Sequence, residues 1–349
     1  MVYISELDVL INQLDVLRFV DTQQALQVAL HAKKTALALN AHEKFTQALS
    51  WEATLLFEKC QLPLAFKRAL EAYQYATKGK FKNIQGQALN TLGGILLQAR
   101  HYGCAFQVLT HLLKFTTANP TGNSHLKTLA LNNFGLIHIE LGLSEQAVNY
   151  FIQAMETAPV TPFWYVAKGI VETNLGIAYT KTKQFEKGLE HAQNSIRILT
   201  KSGADKPSII AYQRLAYHHL YRGQMEEAQS ALNHAQLIMN HLHDPNLEVR
   251  QALKLGMLYY LMNQPHDALH ELEGGIKIAE EHHLDFYLAK LYLLLAKTQL
   301  QIRNLEKATY YQRCFKLATH HDTLQAARYW KALSKVIFFT PQNILDSLF

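Results

Sequence analysis

Blocks in which leucines and aromatics flank a small residue alternate along this chain with short polar turns, and the small residues keep a fixed spacing. Just after each turn stand Ala25, Ala65, Ala105, Ala147, Gly188, Ala228, Ala268 and Ala308, at intervals of 40, 40, 42, 41, 40, 40 and 40 residues. Twelve residues before each comes a partner position: Gln13, Ala53, Gly93, Gly135, Gly176, Ala216, Gly256 and Ala296, small in all but the first. Between the two lie turns rich in breakers or polar residues, such as Cys60-Gln61-Leu62-Pro63, Leu141-Gly142-Leu143-Ser144 and Asn263-Gln264-Pro265. Each unit is therefore predicted as helix, turn, helix, and a small residue on each helix lets the two axes approach closely at their crossing. Loops holding Pro120, Pro159, Pro162, Pro207 and Pro245 are expected to join one unit to the next.

That spacing, with Asn174-Leu175-Gly176-x-x-Tyr179, Asn133-Phe134-Gly135 and Leu255-Gly256-x-x-Tyr259, resembles the tetratricopeptide repeat family over about residues 3 to 322. The repeat is about six residues longer than the family's usual 34. In this it is similar to the longer-helix variety of kinesin light chains and of bacterial regulatory and sensor proteins. HEAT and armadillo arrays share a period of ~40 to 47 residues, but the paired small residues twelve apart favour the tetratricopeptide type. The resemblance implies an all-α, right-handed superhelical solenoid of about eight helix-turn-helix repeats over residues 1–322. Residues 323–349 are expected to form a last helix through Lys335 and an apolar tail, Ile337-Phe338-Phe339. Three readings of this segment stay open: a cap on the open end of the solenoid, the place where a longer protein was cut, or a homodimer contact.

Composition supports helix and narrows the function. A hydrophobic content of 49% and a net charge of +6 exclude a disordered chain. The 16 glycines and 8 prolines are fewer than a turn-rich sandwich or barrel would need. The start, MVYISELDVLINQLDVLRFV, has three acids before its first base and does not read as an export signal. No run of 18 apolar residues exists, so a membrane span is not expected. Cys60, Cys104 and Cys314 are odd in number and lack a CxxC spacing, which fits free thiols and a cytoplasmic location.

Eighteen histidines invite a metal reading, but their placement argues otherwise. His42, His241, His243, His282, His283, His320 and His321 fall near the expected end of a repeat's second helix or in the loop after it, where an imidazole complements the helix dipole. His266 and His270 stand four apart without HExxH or a third ligand. The pairs Gly93-Gly94 and Gly274-Gly275 lack the Lys-Ser/Thr of a phosphate loop and are expected to pack helices. GxSxG and SxxK are absent. No catalytic residue, cofactor or metal ligand is expected.

What remains is a surface. Relative to the small residue of each first helix, positions six before, three before, one after and four after lie within one arc of about 80°. By resemblance that arc lines the concave face. In repeats two and three it is mostly polar (Gln47, Ser50, Thr54, Phe57; Gln87, Asn90, Gly94, Leu97). From repeat four it turns apolar, with bases toward the C-terminus: Ile210, Gln213, Tyr217 and Leu220 in repeat six, Arg250, Leu253, Met257 and Tyr260 in repeat seven, Lys290, Leu293, Lys297 and Leu300 in repeat eight. Arg214 and Lys254 stand at the edge of the arc. These apolar positions are either ordinary core or a groove for an amphipathic peptide, with Arg250, Lys254, Lys290 and Lys297 favouring acidic side chains or a carboxylate. The family's clamp for chaperone tails, a Lys and Asn pair followed by bases in the next repeat, is absent.

The expected function is thus a non-enzymatic protein- or peptide-binding scaffold or adaptor. The alternative is a ligand- or peptide-sensing regulatory module of a bacterial signalling or transcription-control system. RNA binding is more remote: the sequence pI of about 9.0 suggests it, yet no run of five Lys/Arg occurs and the expected inner face is apolar.

Overall fold

A computed structural model describes residues 2–119, 124–157 and 164–333. Among the described residues all regular structure is helical, in seventeen helices. The first helices of the repeats (A helices) are α1 (Val2–Asn12) with α2 (Leu14–Val20), α4 (His42–Glu58), α6 (Lys82–Gln98), α8 (Ser124–Glu140), α10 (Trp164–Lys181), α12 (Asp205–Arg222), α14 (Pro245–Leu261) and α16 (Asp285–Gln301). Their partners (B helices) are α3 (Thr22–Ala38), α5 (Leu62–Gly79), α7 (Tyr102–Ala118), α9 (Ser144–Thr157), α11 (Phe185–Lys201), α13 (Met225–Met239), α15 (Pro265–Glu281) and α17 (Leu305–Leu333). The expected tandem array of helix-turn-helix repeats is present. The chain divides into two compact units, one running to Asn133 and including the chain from His320 onward, the other Phe134–Thr319.

The small residues sit where the helices cross. The alanines of the B series are buried, from Ala25 to Ala308. The approach is closest in the second unit between α10 and α11, where a Cβ on Gly176 would lie 3.0 Å from the Gly188 carbonyl oxygen and one on Gly188 would lie 2.7 Å from Thr180 Oγ1. Only glycine allows that separation. The first repeat departs from the rule as its Gln13 foretells: Gln13 is exposed in a break between α1 and α2, and Leu14 takes the buried place. Gly274, expected to pack, has nothing within 4 Å of its Cβ position, whereas Gly275 meets Ala252 and Leu291.

One lock closes seven of the A-to-B turns. Cys60, Arg100, Gly142, Lys183, Gly223, Asn263 and Arg303 all adopt positive φ, between 55° and 79°. The residue after each donates its N–H to the carbonyl five residues back, as Gln61 does to Leu56, Gln184 to Tyr179 and Asn304 to Gln299 (2.9 Å each). That same residue accepts from the small residue of the B helix, Gln61 from Ala65, Gln184 from Gly188 and Asn304 from Ala308 (2.9–3.0 Å). The small residue is thereby tied to the end of the preceding helix as well as to the crossing.

In the first unit the buried carboxylate of Glu52 on α4 is held by Lys33 of α3 and by Arg68 Nε of α5 at 3.0 Å, so three consecutive helices share one charge centre. Residues from 323 on continue α17 without a break, where a separate helix was expected; Tyr329 of this extension stacks on Phe66 with ring centroids 4.4 Å apart. His320 is consequently inside a helix, and His42 opens one, so the helix-end reading does not apply to either. The expected tail Ile337-Phe338-Phe339 and the loops at Pro120, Pro159 and Pro162 lie outside the described residues. No described helix is long and apolar enough to cross a membrane.

A buried polar seam runs beside the Gly176–Gly188 crossing. Thr180 donates to the Gly176 carbonyl at 2.8 Å, so its hydroxyl oxygen accepts from His218 Nδ1, also 2.8 Å away. This assigns the Nδ1–H tautomer and leaves Nε2 an acceptor without a partner. Protonation would place an unmatched N–H there, and burial, assisted by His219 and Arg222, lowers the His218 pKa to about 4.

Two predictions follow from these contacts. Gly188→Ala is expected to destabilise by about 1–3 kcal/mol through overpacking against Thr180, while Gly274→Ala gains up to about 1 kcal/mol of helix propensity; chemical unfolding of both variants checks the contrast, and equal effects would refute the crossing argument. Because the folded pKa of His218 lies below its unfolded value of about 6.5, the stability it contributes is present above pH 6.5 and is lost as pH falls toward about 4. His218→Asn should flatten unfolding midpoints across that window; an unchanged pH profile would show that His218 is already charged in the folded state.

Candidate functional site

In the second unit successive A helices touch one another, and the contact is polar at its centre. Gln213 of α12 is fully buried; its Nε2 donates to Gln251 Oε1 of α14 at 3.1 Å and to the Leu247 carbonyl at 3.4 Å. Its Oε1 accepts from Arg250 Nε at 3.3 Å, and Gln251 donates onward to the Leu232 carbonyl of α13 at 2.8 Å. This amide ladder fixes the guanidinium of Arg250. It also removes Gln213 from the surface, against the expectation that it lines an open groove.

Leu220 is likewise displaced from its expected role, being core with Ala216, Ala228, Leu232 and Leu258. Ile210 and Met257 are partly buried and pack on the two adjoining core clusters. In repeats five and six the positions three before and four after the small residue are buried, Thr173 against Ser195 of α11 and Thr180 against His218 of α12 in repeat five, whereas their counterparts in repeats seven and eight are half-buried or exposed. Tyr217, Arg250, Leu253, Lys254 and Tyr260 remain half-buried, and Lys290, Leu293 and Lys297 are exposed.

Cations gather here. Lys254 lies with its Nζ 4.7 Å from the centre of the Tyr217 ring, a cation–π contact. Its ammonium is held well below the ordinary lysine range by burial and then by Arg214, Arg250, Lys290 and Lys181. Arg214 is lowered to about 10, again by burial and then by Arg250, with Glu140 acting in the opposite sense. Arg214 Nε is buried without a hydrogen-bond partner among the described residues. Burial and Tyr221 raise the Tyr217 hydroxyl. Basic side chains from α10, α12, α14 and α16 thus act on Lys254, and Arg250 acts on Arg214, with Glu140 of α8 the acid that acts on Arg214.

Lys181 and Glu140 were missed by sequence reasoning although a signal was available. Both stand five residues after the small residue of their helix, which is about 20° beyond the arc; Arg214 and Lys254, two before theirs, are about 40° beyond it. The arc was drawn too narrow.

Other chemistry finds less support. Cys104 Sγ lies 3.2 Å from His101 Nε2, but burial pushes its thiol up to about 11, so it stays protonated at neutral pH. Cys60, Cys104 and Cys314 are free thiols. Among the described residues no group of three or more His, Cys, Asp or Glu is placed to hold a metal ion.

Comparison with known proteins bears on the fold. The tetratricopeptide repeat model matches residues 129–161. No curated protein matches the sequence. Among solved structures, a Rap protein complexed with competence and sporulation factor is similar with a TM-score of 0.61 at 14% identity, over 92% of this chain and 99% of the other. NprR in complex with its cognate peptide NprX is similar with a TM-score of 0.61 at 14% identity, over 95% and 98%. A signal transduction ATPase with a tetratricopeptide repeat sensor from Pyrococcus horikoshii gives 0.54 at 19% identity, over 83% of this chain and 42% of that one. At such identities the likeness is one of fold. The chain carries a tetratricopeptide repeat within an all-α tandem array and has the fold of tetratricopeptide-repeat proteins.

Proposed function

We propose that this chain is a non-enzymatic binding module that takes a peptide segment on the A-helix face of its second unit and acts as an adaptor or sensor in the cytoplasm. The observation that carries the reading is the juxtaposition of half-buried apolar and aromatic side chains, Tyr217, Leu253, Met257 and Tyr260, with Arg250, Lys254 and Lys290. Aromatics and Met adapt to an apolar side chain, and the cations select acidic neighbours or a carboxylate. The structural likeness to NprR, determined with its cognate peptide, supports a peptide as the ligand. In the sensor form of the reading, a groove closing on its ligand transmits small rotations between repeats.

Leu253→Asp and Tyr260→Asp should each weaken partner capture from native cell extract by tenfold or more, about 1.4 kcal/mol, with helicity by circular dichroism unchanged. Leu305→Asp, at a site 68% exposed on a B helix, should leave capture intact. Capture at parental strength by folded Tyr260→Asp would refute the groove. RNA remains the rival, and it predicts an affinity that falls steeply with salt; salt-insensitive capture of protein removes it.

A further inference from the structure

We infer that Arg214, Arg250 and Lys254 form a subsite for a compact oxyanion carrying more than one negative charge, through phosphoryl oxygens or clustered carboxylates. The inference rests on reading the A-helix face of the second unit as the ligand surface. Arg250 reaches Gln213 of α12 and Lys254 lies over Tyr217 of the helix that carries Arg214, so three formally positive side chains meet there, and Glu140 can offset one of them. A single peptide carboxylate would offset one more and still leave an excess, whereas a dianion presents several acceptors to several donors.

The donors are prepared for such a guest. Arg214 Nε is buried and has no acceptor among the described residues. The Arg250 guanidinium is oriented by Gln213, itself locked by Gln251 and the Leu247 carbonyl. Lys254 is anchored over the Tyr217 ring, which stabilises its charge without satisfying its N–H groups. Like charges brought together with partial desolvation weaken the unliganded fold; an oxyanion among them would reverse the sign of that interaction.

The test uses the full chain and three probes, inorganic phosphate, citrate and chloride, each at about 10 mM and at matched ionic strength. Phosphate or citrate should raise the thermal midpoint about 2–4 °C above chloride. Phosphate acting alone assigns a phosphoryl group, and citrate acting alone assigns clustered carboxylates; either supports the subsite. Lys254→Met should melt higher than wild type in chloride, because a repelled cation is replaced by a thioether of similar length, and should lose the oxyanion increment. Arg250→Gln should lose the increment as well. Comparing variants cancels the general stabilisation that these salts give any protein. Equal midpoints in the three probes, or an increment kept by both variants, would overturn the inference. Partner capture by wild type and Tyr260→Asp is read separately, so an absent oxyanion response with capture intact rejects the subsite alone, and a response without capture rejects the peptide reading alone.

Discussion

How closely the two helices of a repeat can approach is the constraint on which the rest of this structure depends. At the Gly176–Gly188 crossing the limit is backbone against backbone, with no room for a Cβ. Elsewhere a buried alanine sets the distance. Because the small residue of each B helix also bonds to the residue that closes the preceding turn, crossing point and turn cannot move independently. The rotation of every A helix follows from that, and with it the set of side chains shown to the neighbouring repeat.

This explains why the fold was legible. A crossing demands a small volume at one place on each helix, so the demand is written as a fixed spacing, and eight in-phase copies make it plain. Features that leave no such mark were hidden. Among the seven A-to-B turn residues with positive φ, only Gly142 and Gly223 are glycines; Cys60, Arg100, Lys183, Asn263 and Arg303 accept a strain of about 1–2 kcal/mol each in return for satisfied carbonyls. The continuity of α17 past residue 322 was also unmarked, since no glycine or proline between 305 and 333 announces it either way.

The candidate site was legible in outline and wrong in depth. An arc computed on an isolated straight helix says which residues share a face, but not how far the adjacent A helix covers it. Gln213 and Leu220 lie on the expected face and are nevertheless buried, because neighbouring A helices meet along the middle of that face. The same contact pushes the available surface sideways, toward positions two before and five after the small residue. Lys181, Arg214, Lys254 and Glu140 occupy those positions, which is why Lys181 acts on Lys254 in the folded chain although 73 residues separate them (254 − 181).

The basic cluster then has to be understood against the layer that carries it. The same repeats, six and seven, hold an apolar core of Ala216, Leu220, Leu232 and Leu258, fully or almost fully buried. Burial of that kind contributes about 1.5–3 kcal/mol for each large side chain, enough to tolerate mutual repulsion among the half-buried bases of these repeats. Stability alone would favour replacing a repelled lysine by an apolar residue of the same length, as buried ion clusters in other settings illustrate. An arrangement in which Arg250 is aimed by a buried amide ladder and Lys254 by an aromatic ring is therefore better accounted for by what it can hold than by what it adds to the fold.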